Sequence, residues 1–436
     1  MKGTFIIIVL GRILQVIISF LTLKVVTNYL SKENVAYYFL FLSILSYFGL
    51  ALISPVGQYV NRHIHFWEEN SVLINRLFNH LIYTLVISII SVPLIYFTSV
   101  SLGLMSGVDP FYLSVVVGIT LFFNTIVTTS VPTFNMLNHR VAFVVYTSLT
   151  LALTLVFSVL LINFWKEDIL VWFFGQIVSQ ALMSLLSVFL LFKYTGEKFN
   201  RAEAFSVLSN ENMHLVLKFS LPLMVSTFLM WVATDSFRFI LEQTHGLEYL
   251  GLFSVGFAIA QRFSYATESI VQQVFFPNYY RSVNSEIKSE RSQAWLELFY
   301  SSVPLYLATM LFTMIFSSYL LDIFSGPSYS DAKYFVILGS VFHFFRKITA
   351  TFAMSAHGEK KTGILIGPYF VGAIFSSVIL YFAGKGSDQL PPIIVSAGSF
   401  VMLLAIIYNT RTAIGSFWDK EIAKRAIRGY FQKEKR

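Results

Sequence analysis

Six basic side chains, Arg12, Lys24, Arg238, Arg262, Arg346 and Lys347, and two acidic ones, Asp235 and Glu268, stand inside stretches that are otherwise almost wholly apolar. A guanidinium fork meets two oxygens of a phosphate at once, while an ammonium acts as a point charge. This excess of cations over carboxylates points to binding of an anion; a path for cationic molecules would be expected to show the opposite balance. Asp235 and Glu268 are the candidates for coupling to a proton or other ion.

The individual positions carry different weight. Lys24 stands about one turn from the end of its helix, where snorkelling to the interface is an equal reading. Arg12 lies about 12 Å into the same helix, too deep to reach the interface comfortably. Asp235 and Arg238 are three residues apart, with Glu242 four further on, so a structural ion pair competes with a cargo or proton site. Arg262 falls near the middle of its helix, and Glu268, six residues later, takes a different face at about 100° per residue. His343, Arg346 and Lys347 form an i, i+3, i+4 cluster that reads as a basic patch. His63 and His65, in HIHFW, are expected in a solvated loop and not in a metal site, because no acidic residue at suitable spacing completes one. No cofactor or metal is expected.

These charges must be positioned by helices in lipid. The chain has 436 residues, 56% of them hydrophobic, 17% aromatic and only 12% charged. That apolar content arrives in long blocks without the alternation of a β-barrel. On a ruler of about 20 apolar residues per span, helices are expected at 4–28, 35–60, 78–99, 111–133, 142–164 and 168–192. A second set is expected at 215–241, 249–276, 295–321, 333–356, 362–383 and 391–410. The N-terminal apolar run is read as a retained first helix and not as a cleaved signal. Cysteine is absent, which excludes disulfides and thiolate metal sites.

Basic residues of the loops, the helix ends beside them and the tail divide 21 to 4, the minority side holding Lys32, Lys166, Lys333 and Lys385. The positive-inside rule then places both termini in the cytoplasm. The net charge of +8 therefore reflects loops and tail and does not call for nucleic acid. The expected organisation is a six-helix bundle at 1–192, a polar cytoplasmic linker at 193–214, a second bundle at 215–410 and a basic tail at 411–436. Glu33-x-x-Ala36-Tyr37-Tyr38 is echoed by Glu248-x-x-Gly251-Leu252-Phe253, as expected of parallel repeats. In the tail, Trp418, Ile422, Ala426 and Tyr430 recur at helical spacing, which predicts an interfacial helix on anionic lipid.

The run GRILQVIISFLTLKVVTNYLSKENVAYYFLFLSILSYFGL resembles the first two helices of polysaccharide flippases of the multidrug/oligosaccharidyl-lipid/polysaccharide (MOP) superfamily, in particular Wzx-type O-antigen flippases. The shared features are an early basic residue in the first helix, a polar turn ending in an acidic residue, and a small-aromatic-aromatic start to the second helix. The helix count, the basic linkers and the turn SAHGEKKTG extend the likeness over the chain.

The resemblance implies an all-α integral membrane protein of about twelve helices, with two six-helix bundles around a cationic central cavity, as in the MATE/MOP plan. The implied cargo is an undecaprenyl-diphosphate-linked oligosaccharide, turned from the cytoplasmic to the periplasmic leaflet of the bacterial inner membrane by alternating access. Its diphosphate would suit Arg12, Lys24, Arg238, Arg262, Arg346 and Lys347. A polysaccharide polymerase and a chain-length regulator are the implied protein partners, beside membrane lipids. The chain departs from lipid II flippases, which usually have fourteen spans. The competing readings are a MATE-like multidrug antiporter and a membrane-embedded glycan polymerase or glycosyltransferase. Against the enzyme stand short outer loops and the lack of a nucleophile-base pair or phosphate loop.

Overall fold

Capping residues set where several helices begin. Ser31 Oγ accepts from the Asn34 amide at 3.2 Å, Asp109 from Phe111 and Tyr112, and Asp168 from Leu170, so each satisfies backbone donors that the first turn leaves open. Gly103 and Gly196 close two helices in the left-handed conformation, φ 62° and 67°.

The computed structural model describes residues 2–206, 210–283, 287–359 and 362–414. In chain order the helices are α1 Lys2–Tyr29, α2 Lys32–Tyr47, α3 Ser54–Glu69, α4 Leu73–Leu102, α5 Pro110–Met136, α6 Arg140–Phe164, α7 Ile169–Thr195, α8 Arg201–Ser206 and α9 Asn210–Thr234. They continue as α10 Phe237–Val274, α11 Phe276–Val283, α12 Lys288–Ile315, α13 Ser317–Phe324, α14 Lys333–Gly358, α15 Ile366–Ile374, α16 Leu380–Ala383 and α17 Leu390–Ile414. The expected tail helix at Trp418, Ile422, Ala426 and Tyr430 lies outside the described residues, as do Lys360 and Lys361.

Eleven stretches of the described residues are long and apolar enough to span a bilayer. One of them, His214–Val274, runs to 61 residues, far longer than an apolar core of about 30 Å requires at about 1.5 Å per residue. It is broken at Asp235–Ser236, and Gly246 takes φ 82°, ψ 176°. It therefore holds two crossings, which makes twelve among the described residues of a multi-pass membrane protein.

The structure corrects three boundaries. The helix expected at 215–241 stops at Thr234, so Asp235 stands in a turn between α9 and α10. The helix expected at 295–321 ends at Ile315, with a break before α13. The loop expected around His63 and His65 is helical: α2 continues through a π-helical turn, Phe48–Ile53, into α3. There His63 Nδ1 lies 2.8 Å from the Tyr59 carbonyl and His65 sits 3.7 Å from Glu68. A polar surface face had disguised a helix that extends past the apolar run.

The chain forms two compact units, Met1–Trp231 and Val232–Arg436. Within the first, helices are inside out relative to a soluble protein. Along α4, Thr84, Ser88, Ser91 and Ser99 are buried while Leu85, Ile89, Ile90 and Phe97 are exposed. In α7, Ser179, Ser184 and Ser187 are buried while Leu182, Leu185 and Phe189 are exposed. Lipid tails solvate leucine as well as another helix does, so association rests on small residues that let backbones approach.

One such approach joins α6 and α7, where a Cβ on Gly175 would stand 2.4 Å from Ser158 Cα, and Ser158 Oγ donates to the Trp172 carbonyl at 2.9 Å. Gly175→Ala is expected to destabilise the first unit by about 1–3 kcal/mol through overpacking. Gly57→Ala, with nothing within 4 Å of the new methyl, serves as the control. Heating followed by size-exclusion chromatography should show an earlier loss of the monodisperse peak for Gly175→Ala alone.

In the second unit α10 and α14 form the centre. A Cβ on Gly256 would lie 2.9 Å from the carbonyl carbon of Phe335 and from Val336 N, and the rings of Phe237, Phe253, Phe257 and Phe342 fill the space beside this crossing. Trp295 Nε1 of α12 donates to the Thr351 carbonyl at 2.8 Å and ties α12 to α14.

Candidate anion-binding site

Several charged residues of the second unit gather where α10 meets α14. The α10–α14 crossing at Gly256 aligns the later turns of both helices, so Glu268 of α10 stands beside Lys347 of α14, Oε2 to Nζ 2.5 Å. Lys347 is buried, and its ammonium also lies 4.2 Å from the centre of the Tyr265 ring. An ammonium so held is stabilised by charge and by the aromatic face together.

One turn earlier on α14, His343 is buried against Phe257 and Phe342. It lies within electrostatic reach of three cations, Arg346, Lys347 and Arg238. Arg238 is fixed from the start of α10: its Nη1 donates to Asp235 Oδ1 at 2.8 Å, its guanidinium lies 4.8 Å from the Phe237 ring, and Thr234 Oγ1 donates to Asp235 Oδ2 at 2.7 Å. The turn at Asp235–Ser236 makes this possible, because it brings the carboxylate back over the first turn of α10.

Arg346 is different. It is half-buried, its guanidinium lies 5.6 Å from the Phe342 ring, and it makes no ion pair among the described residues. Tyr369 of α15 lies within its field. Arg262, also half-buried, donates from Nη1 to the Ala258 carbonyl of its own helix at 3.1 Å.

The site residues expected from sequence thus divide. Arg238, Arg346 and Lys347 converge around His343, and Glu268 and Asp235 are the carboxylate partners of Lys347 and Arg238. Arg262 lies six residues before Glu268 on α10, on a different face. Arg12 and Lys24 belong to the first unit. Arg12 Nη1 donates to Gln15 Oε1 at 2.9 Å, and its guanidinium lies 5.1 Å from the Phe143 ring of α6. Gln15 in turn reaches Ser148 Oγ at 3.3 Å, so Arg12 belongs to the α1–α6 contact. Lys24 is half-buried and takes part in further polar contacts.

Sequence reasoning missed Tyr265, whose ring completes the surroundings of Lys347. Its signal was present: it lies three residues from both Arg262 and Glu268, the spacing of neighbours on a helix surface. Tyr306 of α12, near enough to feel Glu268, had no such signal, since nothing in sequence pairs α12 with that turn of α10.

Chemically, the cluster offers an arginine without a carboxylate partner among the described residues, beside a second cation whose carboxylate is already engaged. Such an arrangement receives an oxyanion with two-point geometry.

The fold is that of the MATE transporters. An inward-facing multidrug resistance MATE family transporter of the MOP superfamily superposes with a TM-score of 0.63 at 14% identity, covering 96% of this chain and 95% of the other. An outward-facing MATE transporter gives 0.62 at 15%, covering 96% of both chains. A MOP superfamily transporter from Pyrococcus furiosus Vc1, described as having a binding pocket of reversed polarity, gives 0.63 at 16%, covering 95% of this chain and 96% of its own. No curated protein matches in sequence. A family model does: the one described as polysaccharide biosynthesis protein matches residues 1–283. With well over half of its length covered by that model and a MATE-like fold throughout, the chain belongs to the polysaccharide biosynthesis protein family.

Proposed function

We propose that this protein is a flippase that turns a lipid-linked oligosaccharide, carried on undecaprenyl diphosphate, from the cytoplasmic to the periplasmic leaflet of a bacterial inner membrane. O-antigen or a related surface-glycan repeat unit is the cargo, and both termini lie in the cytoplasm. The reading joins the family's polysaccharide chemistry to a fold whose solved relatives include inward- and outward-facing states.

The observation that carries it is Arg346, a cation within an apolar span that makes no ion pair among the described residues. A charge there costs about 2.5–3.5 kcal/mol on the lenient insertion scale and persists where it meets a partner or water. A diphosphate supplies the partner, and Lys347 and Arg238 reinforce the positive field. Transport then follows if the two access states differ in affinity for that diphosphate, with a gradient supplying directionality. A polysaccharide polymerase and a chain-length regulator would receive the product.

Deletion of the gene should remove the surface glycan and leave its lipid-linked precursor on the cytoplasmic leaflet, read by lipid extraction and by protection from an external glycosidase. Unchanged surface glycan in a strain without a redundant transporter would overturn the proposal. Loss of drug resistance with glycan intact would favour the multidrug antiporter instead.

A further inference from the structure

The helix α4 begins without a cap of its own. Val72, at its N-cap, makes no side-chain hydrogen bond, and the amide of Ile74 donates instead to Glu197 Oε2 at 2.8 Å, from the segment that follows α7. A carboxylate in that place satisfies an open donor and meets the positive end of the helix dipole. Asn75 Oδ1 accepts from Asn200 N at 3.0 Å, and the Phe199 ring meets Phe78 with centres 4.7 Å apart. The chain leaving α7 is thereby folded onto the start of α4.

This places Phe199 at the rim of a cleft of about 100 Å³ within the first unit, walled by Leu77 and Leu81 of α4, Ile126 of α5, and Val188 and Leu191 of α7. His80, itself buried, is the one titratable side chain in the lining. The hydroxyls of Thr84 and Thr125 are committed to helix carbonyls, His80 O at 2.9 Å and Leu121 O at 2.7 Å. The surface offered to a ligand is therefore almost wholly apolar, and an apolar cavity of this order stays dry and takes up hydrocarbon. Its mouth is open, with Phe192 36% and Phe199 41% exposed.

The depth of the cleft matches one leaflet. Its α4 lining runs from Ile74 to Thr84, about 15 Å at about 1.5 Å per residue, which is about half of an apolar core about 30 Å thick. Charge sits at the mouth and not in the wall. On either side of Phe199, Lys198 and Arg201 are exposed, while Glu197 is half-buried and engaged with the α4 amide. An apolar cleft one leaflet deep, with cations where the spans end, has the outline of a lipid whose tail lies in hydrocarbon and whose phosphate stays at headgroup level.

We propose that this cleft binds an anionic diacyl phospholipid, with one acyl tail against α4, α5 and α7 and the phosphate at Lys198 and Arg201. Each cation at a membrane surface adds to the attraction for acidic lipid, so the headgroup selects the lipid and the cleft holds its tail. The bound lipid covers the start of α4 beside Phe199 and holds the segment after α7 to the bundle. The site goes beyond the flippase reading, because its occupant is a resident lipid of the membrane and not the cargo, whose diphosphate is assigned to the cluster around Arg346 in the second unit.

Full-length protein in nanodiscs containing phosphatidylglycerol with a diazirine in one acyl tail tests this by photolysis, digestion and mass spectrometry. Adducts on peptides holding residues 77–84, 126–130 and 188–199 should exceed those from phosphatidylcholine with the same tail by several-fold. In Lys198→Gln with Arg201→Gln, two exposed positions, that excess should disappear while labelling by phosphatidylcholine stays as it was. Equal labelling of the native protein by the two lipids, or an excess that survives in the double variant, would overturn the proposal. If the double variant does not fold, the comparison of the two lipids on native protein decides alone. Unlabelled undecaprenyl phosphate separates the two sources of a lipid phosphate: weaker displacement of the probe than by unlabelled phosphatidylglycerol supports the proposal, and stronger displacement makes the cleft a cargo-tail site and overturns it. Photolabelling reads binding and the deletion phenotype reads transport, so either reading can fail without the other.

Discussion

Glu268→Ala is expected to reduce the yield of folded protein sharply and to lower its thermal midpoint more than any other single change in the second unit. Lys347 is buried with its ammonium 2.5 Å from Glu268 Oε2, and removing the carboxylate leaves that charge in the apolar interior. Breaking such a pair costs about 3–5 kcal/mol, whereas replacing both partners by apolar groups of similar size is often neutral. The double variant Glu268→Leu with Lys347→Met should therefore regain most of the midpoint lost by Glu268→Ala. Its transport should remain impaired, because Lys347 also contributes to the positive field around His343. Thermal unfolding followed by size-exclusion chromatography measures the first effect and lipid-linked precursor accumulation the second. A double variant as unstable as the single one would show that the pair's neighbours, and not its charges, hold α10 to α14.

Arg346→Ala is expected to do the reverse, leaving the fold intact and stopping the cargo. Arg346 makes no ion pair among the described residues, and its guanidinium lies over the Phe342 ring at 5.6 Å, so its loss deprives no carboxylate of a partner. A hydrogen bond to a charged group is worth about 1.5–3 kcal/mol, and every 1.4 kcal/mol is tenfold in affinity. Binding of a diphosphate-linked glycan should fall by about one to two orders of magnitude on this scale, with surface glycan reduced to match in complemented deletion cells. Arg346→Lys should recover part of the loss, since it keeps the charge but not the two-point fork. Wild-type surface glycan with Arg346→Ala at normal expression would remove this residue from the site and with it the main support for an anionic cargo.

The contrast between these two residues could not be read from their positions. Both stand on one helix, one residue apart, each with the same formal charge. Which of them meets a carboxylate depends on α10, whose Glu268 lies 79 residues away in sequence. For Asp235 and Arg238 the pairing was legible, because three residues of spacing confine the candidates locally. Even there the geometry differed from expectation: the aspartate stands in a turn and not along a helix. For Arg12, depth in the membrane is local information. Its contacts with Gln15 and Phe143 come from the packing of α1 on α6.

Sequence alone determined that this chain is a helical membrane protein with about twelve spans, and it marked which charges stand within them. Those features are local, since about 20 apolar residues in a row suffice to cross lipid wherever the rest of the chain goes. Tertiary structure decided what each charge meets. It paired Lys347 with Glu268, left Arg346 over an aromatic ring, and set His80 into a cavity wall with Phe199 brought back from beyond α7. The physical reason is that a charge or a polar ring in hydrocarbon is governed by neighbours within a few ångströms, and those neighbours come from helices distant in sequence.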